Sequence, residues 1–380
     1  MRRGDVINGY RLVSEPTNAG GGKCVWAFAE KGGREFFLKR FLEPKLPRAG
    51  ASPDTPSVRI RLAACRDFEE RHRGIMRRLR PDARGAGNLV LATDFFHERS
   101  SYYKVTERID TDSLAEPHTL EPAHRAVLLR TLGSSLKLLH DIDVVHGDLK
   151  PANVLVQRRQ GATYHTAKLI DFDDSYLSGR PPGRDAIAGD SLYGAPEWRR
   201  YVQGDELVDE PDLTTAVDLF ALGLMAHLMV TGALPGHDER YGSPADAVNA
   251  GEALAWDPRL SDEMTALVRD LTAWDPGARP SVERFLAVLR DPEVCALGAP
   301  RASAPPVAPS RTSRVRFSGS SGGSGGSEGS GSAGGSGAGT PPRSAREDAD
   351  EAPRRSRVRF TPRGGGAAHD SRGGRDERRA

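Results

Sequence analysis

Cysteine is scarce in this chain. Three occur in 380 residues, Cys24, Cys65 and Cys295, with no Cys-x-x-Cys pair. An odd count at such spacing excludes a disulfide framework, offers no zinc-ligand pattern and fits a reducing compartment. Long apolar runs are missing as well: the longest, 219-LFALGLMAHLMV-230, has 12 residues. A membrane-spanning helix needs about 20, so this run is expected to be a buried helix. The N-terminus, MRRGDVINGY, carries basic residues with no apolar stretch behind them, so no secretory signal is expected. Lysine is rare, 8 against 46 arginines, and hydrophobic content is only 37% because the last 80 residues hold almost no core formers. These absences predict a soluble, cytoplasmic protein that does not enter a membrane.

Net charge is +2, unevenly spread. Residues 301–380 carry 15 arginines against 8 acids, so the tail is +7 and residues 1–300 are −5. The tail reads either as a solvated disordered segment or as one that contacts an acidic partner or its own acidic domain. No nucleic-acid partner is expected.

Residues 10–41 predict strands separated by tight turns: YRLVSE, the glycine run 20-GGG-22, CVWAFAE, a KGGR hairpin and EFFLKRF. From about 58 to 80 the pattern becomes helical, with Phe68, His72, Ile75, Met76 and Leu79 on one face. NLVLATDFF and YYKVTERI predict two more strands. Beyond residue 120 helices dominate, beginning with 125-RAVLLRTLGSSLKLLH-140. A strand-rich front with one helix, followed by a helical body, is a two-lobed α+β plan. The expected divisions are 1–109 for the small lobe, 110–297 for the large one and 298–380 for the tail. The tail contains a 23-residue Gly/Ser stretch at 318–340 that cannot bury enough surface to fold. The word SRVRF brackets it, at 313–317 and again at 356–360, either by chance or as a docking peptide presented twice.

The chemistry concentrates in 144-VVHGDLKPANVLV-156. Asp148 and Asn153 stand five apart in a loop with Lys150 between them, and apolar residues on both sides suggest short buried strands. Asp171 ends the strand-like AKLI, and Lys39 ends an early strand behind a glycine-rich turn. Phosphoryl transfer needs these groups: a cation on the phosphates, a metal-binding Asp and Asn, and a carboxylate at the incoming hydroxyl. Together with 169-LIDF-172, 195-APE-197, 218-DLFALG-223 and 279-RP-280, in this order, they resemble the eukaryotic-type (Hanks-type) serine/threonine protein kinase family over about residues 8–292.

That resemblance implies the two-lobed protein kinase fold, with ATP and Mg²⁺ as cofactors. It places Lys39 on the α and β phosphates, Asp148 at the substrate hydroxyl and Lys150 on the transferring phosphate. Asn153 and Asp171 become the Mg²⁺ ligands, and Glu197 with Arg279 a buried structural ion pair. The helix carboxylate that pairs with Lys39 is expected to be Glu69, close to the apolar face, in preference to Glu70. The nucleotide-binding set is completed by Gly20, Gly21, Gly22, Val25, Thr106, Glu107 and Leu155.

The chain departs from the family pattern in several places. Counting back fourteen from Lys39 puts Val25 over the adenine and Asn18, Gly20 and Lys23 where three glycines are usual. Phe37 replaces a small residue two before the lysine and is expected to narrow the adenine pocket. The DFG triplet reads 171-DFD-173, so Asp173 lacks glycine's conformational freedom. Gly147 stands for the arginine that usually grips an activation-loop phosphate, and Asp190 for a threonine seven before Glu197. Phosphate gating is therefore expected to be lost while the chemistry is kept. Fixed contacts should hold 174–194 instead, among them a pair between Asp190 and Lys150.

The expected activity is ATP-dependent phosphorylation of protein Ser/Thr hydroxyls, the chain's own included. Lys150 in DLKPxN resembles the Ser/Thr branch, and the compact front segment looks like a bacterial cytoplasmic subgroup. The alternative is a pseudokinase scaffold that binds ATP or a partner and acts through its basic tail. A phosphatase or phosphopeptide-binding partner is expected at the tail. RVRF resembles peptides that add a strand to a phosphatase sheet, and Thr361 in RFTPR is a candidate phosphorylation site.

Overall fold

The structure is a computed structural model that describes residues 1–19, 22–48, 50–79, 86–109, 116–158, 161 and 163–299. The chain divides into a unit from Met1 to Ser303 and a second from Ala304 to Ala380. The second unit, with both SRVRF copies and the Gly/Ser stretch, lies outside the described residues.

The described residues at the front of the chain form six strands: β1 (Val6–Ile7), β2 (Tyr10–Leu12), β3 (Cys24–Lys31), β4 (Arg34–Phe41), β5 (Ala92–Glu98) and β6 (Ser101–Glu107). They make one antiparallel sheet in the order β1-β2-β3-β4-β6-β5. The β3–β4 hairpin turns on Gly32 and Gly33, whose φ values of 58° and 74° are open to glycine and strained for other residues. Strand alternation then sorts the faces. Ala27, Ala29, Phe36, Leu38, Tyr103 and Val105 pack on one face with Tyr10 and Leu12. Lys39 lies on the other, where register puts it opposite Trp26 on β3 and Lys104 on β6.

Helix α1 (Pro56–Arg78) covers that second face. Proline in its first turn suits a position whose N–H has no helical partner, and Arg77 and Arg78 complement the dipole at its end. Its Cys65, Phe68 and Met76 pack with Cys24, Phe41, Phe95 and Tyr102.

The larger lobe is built on α2 (Pro122–His140) and α4 (Ala216–Thr231), with α3 (Pro196–Val202), α5 (Pro244–Asn249), α6 (Asp262–Leu271) and α7 (Val282–Val288) around them. Helix α4 is buried at every position but Leu228, so the 12-residue apolar run is a core helix, as expected. It stops at Gly232 in the left-handed region. Ser243 and Ser261 cap α5 and α6 by accepting backbone N–H bonds. Among the described residues, four short strands lie between α2 and α3: β7 (Val144–Val145), β8 (Val154–Arg158), β9 (His165–Leu169) and β10 (Tyr176–Leu177). The lobes meet where the Val90 N–H donates to the Leu169 carbonyl at 2.9 Å. The two-lobed α+β plan is the observed one. All three cysteines are free and buried, and among the described residues no helix is long and apolar enough to cross a membrane.

Candidate active site

The loop between β7 and β8 is anchored from below. Asp218, at the start of α4 and 1% exposed, accepts the backbone N–H of His146 at 2.7 Å and of Gly147 at 3.1 Å, and lies 3.1 Å from His140 Nε2. This clamp fixes the backbone that carries Asp148. The sequence singled out the block containing Asp218 without giving the residue a role; an acid at the head of an otherwise apolar helix was the available signal.

Asp148 is buried and its carboxylate is fully engaged. Lys150 Nζ lies 2.8 Å from Oδ2 and 3.0 Å from Oδ1, and Asn153 Nδ2 donates to Oδ2 at 2.8 Å. Asn153 Nδ2 also donates to the Asp148 carbonyl at 2.7 Å, which leaves the amide oxygen for a cation. Burial alone would lower the Lys150 ammonium, but its bonds to Asp148 and the charge of Asp190 raise it. The structure therefore brings Asp148, Lys150 and Asn153 together as expected.

Across the cleft, Lys39 Nζ lies 2.6 Å from Asp171 Oδ2 and 2.9 Å from Asp173 Oδ2, while Lys104 Nζ lies 2.7 Å from Asp173 Oδ1. Against the cost of burial, Asp173 and Asp171 keep the Lys39 ammonium raised. Against the same cost, Lys104 and Lys39 hold the Asp173 carboxyl well below its usual range. Burial and the Asp173 charge push Asp171 upward. Asp171 sits at φ 66°, a left-handed conformation that aspartate tolerates at some cost, and its Oδ1 is buried without a hydrogen-bond partner. An orphaned carboxylate oxygen and the free amide oxygen of Asn153 are hard donors of the kind Mg²⁺ takes, so these residues fit that ion. No cluster of three or more His, Cys, Asp or Glu suited to a metal occurs among the described residues, so such an ion would draw its other ligands from phosphate or water.

Two expectations need correction. Glu69 does not reach Lys39; it pairs with Arg73 at 2.8 Å along its own helix and lies 3.4 Å from the Tyr102 hydroxyl. Its neighbour one turn on, His72, is the α1 residue buried towards the lysines, packed against Phe41, Phe68 and Phe95. Burial first, then the charge of Lys104, depresses its imidazole well below the ordinary value. Val25 pairs with Arg40, so alternation turns it to the face away from Lys39; Trp26 stands opposite Lys39 instead. Trp26 and Phe37 lie ring to ring at 5.0 Å, so two aromatics take the place expected for a valine and a small residue.

The other nucleotide positions are mixed. Thr106 pairs with Phe37 and shares the Lys39 face. The Glu107 carboxylate is drawn to Arg34, so only its backbone is available to the cleft. Leu155 is half-buried on β8, alternating with buried Val154 and Val156. Gly22 is exposed with φ 52°, whereas Gly20 and Gly21 lie outside the described residues.

The segment after Asp173 is held by fixed contacts. The Ser175 hydroxyl donates to the His146 carbonyl at 3.0 Å, β10 pairs with β7, and Asp190 Oδ2 lies 3.4 Å from Lys150 Nζ. Glu197 and Arg279 form a buried two-bond pair at 2.6 and 2.8 Å, and Arg279 also donates to the Ala216 and Ala273 carbonyls.

Comparison with known proteins agrees with this geometry. The protein kinase domain model matches residues 71–288. Protein kinase kin1 of Schizosaccharomyces pombe is 25% identical over 75% of this chain and 31% of its own length. Serine/threonine-protein kinase ULK3 of Xenopus laevis is 30% identical over 43% of this chain and 33% of its own. Human serine/threonine-protein kinase H1 is 26% identical over 56% of this chain and 49% of its own. The chain thus spans a third to a half of the length of these relatives. With more than half of its length matched by the domain model, and with the lysine, loop aspartate, asparagine and strand-end aspartate converging on one cleft, the chain belongs to the protein kinase domain family.

Proposed function

We propose that the protein transfers the γ-phosphate of ATP to Ser or Thr hydroxyls of proteins, including its own. The carrying observation is the engagement of Asp148: with Lys150 and Asn153 fixing both carboxylate oxygens, it is pre-oriented for an incoming hydroxyl. Asp148 aligns the hydroxyl and takes its proton, and Lys150 is placed to offset charge on the phosphate in flight. Lys39 meets the α and β phosphates. Asp171 and Asn153 would hold Mg²⁺, which when bound neutralises charge shared between the phosphates.

The test is transfer of labelled γ-phosphate with Mg²⁺, comparing the protein with Asp148→Asn and identifying the phosphoamino acids. Label on Ser or Thr that vanishes in the variant supports the reading. ATP binding without transfer in the unaltered protein would overturn it and favour a binding scaffold.

We assign residues 1–109 and 110–297 as the two lobes and 298–380 as a partner-binding tail. The duplicated SRVRF and Thr361 are its recognition elements for a phosphatase or phosphopeptide-binding partner. The absence of paired cysteines supports a cytoplasmic location. The bacterial placement rests on the compact front segment alone; the relatives named above are eukaryotic.

A further inference from the structure

Lys39 and Lys104 face each other across β4 and β6 in direct register. Like charges so placed repel, and both side chains are largely withdrawn from water, at 14% and 8% exposure. One carboxylate meets both: Asp173 gives Oδ2 to Lys39 and Oδ1 to Lys104. Helix α1 supplies no carboxylate here, because Glu69 is engaged with Arg73 and the position facing the lysines is His72.

We propose that Asp173 is the positioning residue for Lys39, doing from the strand-end segment what a helix carboxylate would otherwise do, with Lys104 fixing its orientation. This rests on the reading that the cleft binds ATP. Lys104 occupies one oxygen of Asp173, so the carboxylate stays turned towards the lysines and is not free to join Asp171 on the cation. Asp171, relieved of sole charge of Lys39, keeps Oδ1 for that cation. The aspartate in the DFD triplet is thus a functional gain and more than a lost glycine.

The experiment measures ATP affinity with Mg²⁺ by calorimetry, and KM and kcat in transfer assays. The proteins are wild type, Asp173→Asn, Asp173→Gly and the double variant Lys104→Met/Asp173→Asn. Asp173→Asn leaves Lys104 without its carboxylate and Lys39 with Asp171 alone, and is expected to weaken both folding and ATP binding. The double variant removes the stranded Lys104 charge and is expected to recover thermal stability. Its ATP affinity should remain about tenfold to a hundredfold weaker, with KM rising more than kcat falls. ATP affinity within about twofold of wild type in a stable double variant would overturn the proposal. Because calorimetry needs no turnover, a wild type that binds ATP without transferring phosphate sinks the functional reading and leaves the role of Asp173 measurable. A wild type that binds no ATP overturns both.

Discussion

The backbone of Gly147 lies so close to the Asp174 carbonyl that a Cβ on Gly147 would come within 2.7 Å of that oxygen. Its φ of 79° is in the left-handed region as well. Gly147 is therefore required by the conformation of this loop, and the arginine usual in the family does not fit without moving backbone.

Gly147→Ala should accordingly lose stability by at least about 1–2 kcal/mol from backbone conformation alone, with the steric contact adding to it. Gly147→Arg should behave worse and should not create phosphate-dependent activation. Thermal unfolding and transfer assays on both variants check this; a Gly147→Arg protein with wild-type stability and activity would show that the loop tolerates a side chain.

Asp190 both reaches Lys150 and accepts the backbone N–H of Leu192 at 2.9 Å. Asp190→Ala should lower kcat for a peptide acceptor on the order of tenfold, with a smaller effect on ATP KM, because it frees a lysine beside the transferring phosphate. Asp190→Thr should recover part of the loss. Steady-state kinetics with each substrate varied decides it, and unchanged kcat in the alanine variant would remove Asp190 from the site.

Breaking the buried Glu197–Arg279 pair from one side strands a charge. Arg279→Met should cost about 3–5 kcal/mol in chemical denaturation, while Glu197→Gln, which keeps hydrogen-bonding capacity, should cost less. Equal and small losses in both would mean that the pair is dispensable to the large lobe.

Two buried imidazoles set an acid limit. His227 lies 2.7 Å from the Ala233 carbonyl through Nδ1 and accepts the Asp257 N–H through Nε2 at 3.1 Å, which requires the neutral ring. Burial lowers its folded pKa below 6.5, and His72 is depressed further. The unfolded chain then binds protons that the folded chain refuses, so stability present above pH 6.5 is lost as pH falls below it. Each group steepens the dependence by up to about 1.4 kcal/mol per pH unit. His227→Gln should flatten the profile below pH 6.5; a wild-type stability that stays level as pH falls below 6.5 contradicts the assignment.

Returning a carboxylate from the helix side offers a complementary test. His72→Glu in an Asp173→Gly background should bring ATP affinity to within about threefold of wild type, because the two positions face the same lysines. Failure of the pair to improve on Asp173→Gly alone would show that α1 cannot reach Lys39.

The cluster of Asp148, Lys150 and Asn153 was legible in the sequence because its residues are close along the chain. The hairpin and the buried apolar helix were equally plain, since each rests on local rules of glycine conformation and hydrophobic pattern. The misreadings both involve long-range geometry. Val25 and Trp26 differ by one place in a strand, and that single step flips the side chain to the opposite face. Glu69 and His72 are one helical turn apart, so periodicity alone did not decide which turns inward. The sequence marks Asp173 only as a lost glycine, because its two lysines lie 69 and 134 residues away along the chain. The clue was present: in 102-YYKVT-106 alternation puts Lys104 and Thr106 on one face, and an inward lysine needs an acid from elsewhere.

The Lys104–Asp173 pair also changes what the cleft will admit. Lys104 shares the sheet face of Thr106, two residues away, so a ligand extended from Thr106 towards it meets a buried ion pair. An aromatic extension would have to strip two paired charges of each other or of solvent, at a cost that its own burial does not recover. Selectivity against this protein is therefore a matter of charge beside Thr106, and compounds that extend there with apolar groups should be poor ligands for it.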